Sequence, residues 1–469
     1  MNSSTVLVGF GRGLLNAALL VDRPVREDIE INAVYFRQGG AACCWIVLDC
    51  MDFDLAAINR IKGTAAEACR LPPEHVHVLT THNHGVGGVE ALNVGLIAGK
   101  AAEIVKAAAG AAAPGYMRFA QVTIAEQLNY VRRLHVEEFG GATTLFFGPC
   151  AANGFDSSAF LRHQIYMLRE KQEIHYSGQS ETASRLIPAL HPQDDTRVLP
   201  ADPLAALLLF EREDGAPIGS VCRFAAHAVC CNRPEYYSSD YPYYVRKTLR
   251  EKLGGEAIFM NGPCAEIAPA IPDKISGEER RLGCLVGTAA ARAIAGIYPV
   301  PLNRLEDYTR EIILPVRADL AASAAEDNAL ANAQETIARA ANRPLPEIKK
   351  IAEKLRFAQT ADFLRRKWLN GESPELVQRR KIKARLGCLK LNDIHILAFP
   401  GETFSATAAR VRAQCGLANV ITVTEHDRTL MYLPPPEEFV RSGYETNCCL
   451  IAPSAEPILQ AGALAMLIS

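Results

Sequence analysis

The residues of this 469-residue chain best suited to chemistry are two histidines separated by one residue, His82 and His84, which close the run Val76-His-Val-Leu-Thr-Thr-His-Asn-His. An apolar stretch stopping at paired imidazoles reads as a strand end, where alternate side chains share a face. The glycines of Gly85-Val-Gly-Gly then let backbone and substrate come close to whatever the imidazoles hold. Such a pair suits a metal ion, but it equally suits two polar residues capping a strand, so its meaning rests on partners elsewhere. Three exist. His227 closes the apolar run Gly219 to Ala226, Glu402 follows a strand and the Pro400-Gly401 turn, and the stretch from Met431 to Glu445 brings Tyr432, Tyr444 and several carboxylates. Each fragment ends an apolar strand at a polar residue, as α/β proteins place their active sites.

The elements that must position these groups alternate. Apolar strands are separated by helical patterns at Leu55 to Cys69, Asn93 to Ala109, Tyr243 to Leu253 and Glu278 to Ala295, which predicts an α/β sandwich with mixed sheets flanked by helices. Candidate residues at 82, 227, 402 and 432 converge only if residues 1–469 form one large domain around a single site. A helical insertion is expected within it at 318–386, rich in Ala, Glu, Lys, Arg and Leu at helical spacing, with basic runs at Arg365-Arg-Lys and from Arg379 to Arg385. Those basic faces read first as solvated helix surface. The insertion stands directly before the Glu402 strand and could overhang the site as a lid or form an oligomer contact. Gly9-Phe-Gly-Arg-Gly is not a dinucleotide fingerprint, because position 14 is leucine and no suitably placed acidic residue follows.

Taken in order, the fragments resemble the neutral (alkaline, non-lysosomal) ceramidase family. Val8-Gly-Phe-Gly-Arg-Gly is similar to its first glycine-rich strand, and Ile31 to Asp54 to its second hairpin. Leu71 to His84 resembles the stretch carrying its His-x-His, and Phe259 to Pro269 stands in the place of its catalytic turn. Pro400-Gly-Glu402 and Tyr432 through Tyr444 resemble its last two ligand-bearing motifs.

The resemblance implies that His82, His227, Glu402 and Tyr432 ligate one zinc ion. Imidazole nitrogen and carboxylate oxygen suit zinc, although iron or manganese also accept such ligands. It makes His84 a neighbour of the metal or of substrate, and Tyr444 the tyrosine that faces the substrate carbonyl. Where that family carries a serine before the proline, this chain has Ala268, and where it carries Gly-Asp, Ala265-Glu266. A methyl group cannot attack a carbonyl, so the expectation is a zinc-dependent hydrolase cleaving a C–N (amide) bond of a small or acylated substrate by metal-activated water, with Tyr444 or Glu266 moving the proton. Cys264 is an alternative nucleophile or a substrate contact, and Asp240 and Tyr241, in an aromatic cluster with Tyr236, Tyr237, Tyr243 and Tyr244, are expected at the substrate wall. Ester or lactone hydrolysis, acyl transfer and ring closure would use the same parts, and a non-catalytic metal-containing binding protein is the alternative of another class. Gly148 to Phe155 lacks the arginine usual in the family after Asn153, and Leu14 replaces a usual acidic residue, which implies an altered substrate pocket. The chain also ends soon after the last motif, as a catalytic domain alone would.

A formal net charge of −2 and a pI near 6.6 leave no general attraction for nucleic acid or anionic membrane. No apolar run is long enough to span a membrane, and the N-terminus lacks the charged and apolar regions of a secretory signal. The expected location is the cytoplasm. Homo-oligomerisation is left open. The 14 cysteines include adjacent pairs at 43/44, 230/231 and 448/449 and no Cys-x-x-Cys, which reads as reduced, buried thiols. His75 and His77 read as structural, and His135, His163, His175, His191, His395 and His426 as surface or satisfied core histidines.

Overall fold

The computed structural model describes residues 5–126, 128–136, 141–144, 202–231, 235–271, 277–321, 363–369, 372–428 and 430–468, together with 347, 350, 357, 360 and 361. The Gly148 to Phe155 segment, His163, His175, His191 and most of the insertion lie outside these residues.

Three sheets carry the architecture. The first is formed by β1 (Leu7–Leu14), β2 (Glu30–Gln38), β3 (Ala41–Leu48), β4 (Val76–Thr80) and β5 (Ala113–Pro114), in the order β4-β3-β2-β1-β5. Next along the chain come β6 (Tyr116–Thr123), the short β7 (Asn129–Val131), β8 (Arg133–Val136) and β9 (Gly141–Thr144), then β10 (Leu204–Glu211), β11 (Pro217–Phe224), β12 (Glu256–Asn261), β13 (Ile267–Pro269) and β14 (Val300–Pro301). The second sheet runs β12-β11-β10-β6-β14. The third, β15-β16-β17-β19, uses Leu305–Pro315, Lys381–Leu391, Ile394–Ala398 and Val420–Val423, and β18 (Glu402–Thr403) pairs in parallel with β20 (Tyr432–Leu433).

Why the strands read as unbroken apolar runs is clear from their two faces. On β3, Cys44, Ile46 and Leu48 pack on the helices Leu55–Cys69 and Val94–Gly110, while Cys43, Trp45 and Val47 enter a core shared by all three sheets. On β10, Ala205, Leu207 and Leu209 face the helices Asp240–Leu253 and Glu278–Ile294, while Ala206, Leu208 and Phe210 turn to the shared core. Sheets buried on both faces select apolar residues at every position. The resulting layers are helix, sheet, sheet, helix, as expected for a mixed α/β sandwich.

The four helices expected from periodicity form with small shifts of their ends. Asn93 caps the second, its side chain accepting from Gly95 and Leu96 N–H, and the third starts at Asp240, three residues earlier than its apolar pattern suggested. β16 begins at Lys381, so the last residues of the span 318–386 are strand rather than helix; 363–369 is helical and Pro374–Gln378 a short helix. β15 and β16 pair antiparallel along their whole lengths, so residues 316–380 connect two paired strands.

Candidate metal centre

His82, His227 and Glu402 each follow a strand that has a parallel neighbour: β4 beside β3, β11 beside β12, and β17 beside β19. The ends of these strands are stitched together. The Asn261 side chain donates to the Thr81 carbonyl (3.2 Å), and the Asn261 carbonyl accepts the Thr424 N–H (2.9 Å), so one residue joins all three sheets at the site. Gly401 makes the turn into Glu402 at φ +56°, and an added Cβ there would meet Leu430 N and Met431 O at 2.9 Å, which accounts for the Pro-Gly before the carboxylate.

His82 does not sit on a continuing strand. β4 stops at Thr80 and His82 takes φ +53°, so a turn rather than strand alternation brings His82 and His84 together, their ring centroids 4.8 Å apart. The His82 Nδ1 lies 3.2 Å from the Met51 carbonyl and its Nε2 3.2 Å from the Nε2 of His84 and 3.4 Å from the Glu402 carboxylate. The His227 Nδ1 donates to the Ile267 carbonyl (3.0 Å), which turns its Nε2 to Glu402 at 3.2 Å. Because a carbonyl only accepts, both Nδ1 atoms carry protons and both Nε2 atoms turn to the centre of the cluster, the arrangement that orients metal-binding histidines. One ring nitrogen from each of His82, His84 and His227 falls within 4.8 Å of the others. Tyr432 stands beside Glu402 in register. Its hydroxyl accepts from Arg132 (2.9 Å), and its ring meets that of Tyr444 edge-on at 5.6 Å.

The charges around the cluster act on its members in opposite directions. Against burial, the Glu402 and Glu425 carboxylates push the His82 imidazole up to about 9, while burial and the Arg132 charge push His227 down to about 4. Burial and the neighbouring His82 and His227 push His84 well below its usual range. His82 and His227 hold Glu402 well below the usual carboxylate range although it is buried. His82, His84 and His227, with the Glu402 carboxylate 3.4 Å from the first and 3.2 Å from the last, form a group that could hold a metal ion.

The other expected residues have defined places. Ala268 is buried in β13, paired with Tyr130 of β7. Glu266 accepts from the Ser405 N–H and hydroxyl, and burial raises its carboxyl to about 7. Cys264 is buried among Ala225 and Ile267, and burial with the Glu425 and Glu402 charges pushes its thiol well up, which works against a thiolate nucleophile. Asp240 accepts from Cys231 and Tyr241 N–H, and the Tyr241 hydroxyl donates to the Ala226 carbonyl (2.7 Å), so both brace the segment carrying His227. Sequence reasoning missed Arg132 and Glu425, charged residues that belong to no motif. Lys367 was visible in Arg365-Arg-Lys but read there as helix surface; burial lowers its amine to about 8 against the pull of Glu402 and Glu425.

Fold and site together define an α/β sandwich that gathers a buried histidine and carboxylate cluster at the ends of its strands. No family model and no curated protein matches the sequence. Among solved structures, the chain is similar to neutral ceramidase from Pseudomonas aeruginosa, with a TM-score of 0.63 at 13% identity over 99% of this chain and 74% of that one. A ceramidase complexed with C2 superposes with a TM-score of 0.64 at 14% identity, over 99% and 75% of the two chains. The fold is that of neutral ceramidases, as the sequence motifs implied. Among the described residues no helix is long and apolar enough to cross a membrane.

Proposed function

We propose that this protein is a metal-dependent hydrolase, with zinc as the metal, cleaving the C–N bond of a small or acylated amide. The observation that carries this reading is the convergence of His82, His84, His227 and Glu402, with Nδ1 of His82 and of His227 tied to backbone carbonyls. His82, His227 and Glu402 would hold the ion, with Tyr432 as fourth ligand and His84, the least buried of the three histidines, beside the substrate. A bound zinc ion would polarise the scissile carbonyl and lower the pKa of water toward neutrality.

The chain's own residues supply the rest. Tyr444, edge-on to Tyr432, would donate to the developing oxyanion. Arg132 holds the Tyr432 hydroxyl and the Ala265 carbonyl (2.8 Å), fixing the turn that carries Ala268. Glu266, with its carboxyl near 7, is the proton carrier beside that turn. With a methyl at position 268, the attacking oxygen comes from water and not from this side chain. Every described cysteine is a free thiol, which supports a reducing, cytoplasmic location.

Elemental analysis of the wild type and of the double variant His82→Ala/His227→Ala tests the reading. About one zinc per chain is expected in the first and none in the second, followed by turnover of acyl amides in a screen that includes esters and lactones. A carefully prepared wild type without metal would sink the proposal in favour of a binding protein or a thiol mechanism.

A further inference from the structure

The helical insertion contributes a side chain to the surroundings of this centre. Lys367, on the helical stretch 363–369, reaches across to the segment that follows β3, where its ammonium pairs with the Asp52 carboxylate; the two side chains are 12% and 4% exposed. The stretch is clamped in place. Arg428 donates to the Lys367 carbonyl (2.6 Å) and pairs with Glu372, and the Trp368 indole donates to the Lys381 carbonyl (2.9 Å) at the start of β16. Asp52 adjoins Met51, whose carbonyl takes the Nδ1 proton of His82, and an added Cβ at Gly88, in the loop after His84, would collide with the Asp52 carboxylate. The Met51 N–H in turn donates to the Gly87 carbonyl (2.8 Å). The insertion is thus tied through one buried ion pair to the backbone that aims His82 and to the loop that carries His84.

Resting on the metal-dependent reading above, we propose that Lys367 is a positioning residue of the metal centre: through Asp52 it fixes the Met51 carbonyl and thereby the orientation and tautomer of His82. Groups that hold a metal-binding histidine through its second nitrogen set metal affinity by roughly 10- to 100-fold. Removing a cation near a metal would, by Coulomb's law alone, tighten the ion. A loss of affinity on removing Lys367 therefore reports positioning and has the opposite sign to a simple charge effect.

The test is zinc affinity by chelator competition on the full-length protein, comparing wild type with Lys367→Met and Lys367→Arg and following thermal unfolding alongside. The expected result is zinc binding weakened about tenfold or more in Lys367→Met, and largely restored in Lys367→Arg, which can still pair with Asp52. A folded Lys367→Met that binds zinc as tightly as wild type, or more tightly, overturns the inference even if its unfolding temperature falls. Should Lys367→Met not fold, Lys367→Gln is read by the same criterion. A wild type that binds no zinc overturns the metal-dependent reading itself, and is thereby told apart from a failure of the role given to Lys367.

Discussion

Two groups of buried histidines lie among the described residues, and they are built in opposite ways. Around His77 and His426 the ring nitrogens are used up. The His77 Nδ1 meets the His426 Nε2 at 2.9 Å, the His77 Nε2 faces Asp307 at 2.9 Å, and the His426 Nδ1 takes the Arg385 carbonyl at 3.1 Å. Trp45 stacks on His77 at 4.5 Å, and Asp307 also takes His75. Despite burial, His77 and His75 hold Asp307 down at about 2. Around His82 and His227 only the Nδ1 atoms are satisfied by backbone, and the Nε2 atoms turn inward onto Glu402. A histidine cluster is a candidate site when lone pairs are left converging, and a structural one when each ring nitrogen is spent on the fold. His77 and His426 accordingly belong to the structural class expected of them.

That contrast breaks if the clusters respond alike to mutation. The largest effect is expected from His227→Ala, which should abolish stoichiometric zinc and bring hydrolysis to background, whereas His426→Ala should leave zinc in the folded protein unchanged; metal analysis of the two variants decides. Next in size, Lys62→Met removes the closer cation of the Asp427 carboxylate beside His426 and leaves it Arg385 at 3.5 Å. Its ion pair of 2.7 Å is 3% and 2% exposed, and breaking such a pair costs about 3–5 kcal/mol. Denaturant unfolding should show that loss, while zinc per folded chain stays at wild type. A smaller cost, about 1–3 kcal/mol, is expected for Gly387→Ala, whose Cβ would meet the His426 Nε2 and the His77 Nδ1 at 2.9 Å; unchanged stability would mean that the structural cluster is loosely packed.

The last effect expected is a change of slope. Burial raises Glu266 in the folded protein to about 7 from an ordinary value near 4.5, so the unfolded chain releases its proton first as pH rises. This residue therefore costs no stability below pH ~4.5, and increasingly disfavours the fold as pH climbs from there to about 7. Glu266→Gln should remove that decline, and unfolding midpoints across pH 4–8 that keep the wild-type slope would show that another group titrates.

How much of this was legible beforehand varied with the kind of interaction. The helix Leu55–Cys69 and strand β4 showed in local periodicity, because helix and strand each repeat on a scale of a few residues. His82, His227 and Glu402 were visible as polar residues ending apolar strands, and motif order implied a neutral ceramidase fold. The left-handed turn at His82 was not visible, since alternation along a strand predicted the same neighbour for a different reason. Glu425, Arg132 and Lys367 carry no local signal. A charged residue has the same appearance in sequence whether it faces water or a buried carboxylate.

Sequence by itself determined the types and order of the candidate residues and the alanine at position 268, all covalent facts of the chain. Tertiary structure alone decided which nitrogens converge, that Lys367 of a basic run turns inward to Asp52, and that Cys264 is buried among carboxylates that oppose its ionisation. The physical reason is range. Backbone propensities act within a few residues, whereas desolvation and Coulomb interactions act between groups that only the packed sheets bring together.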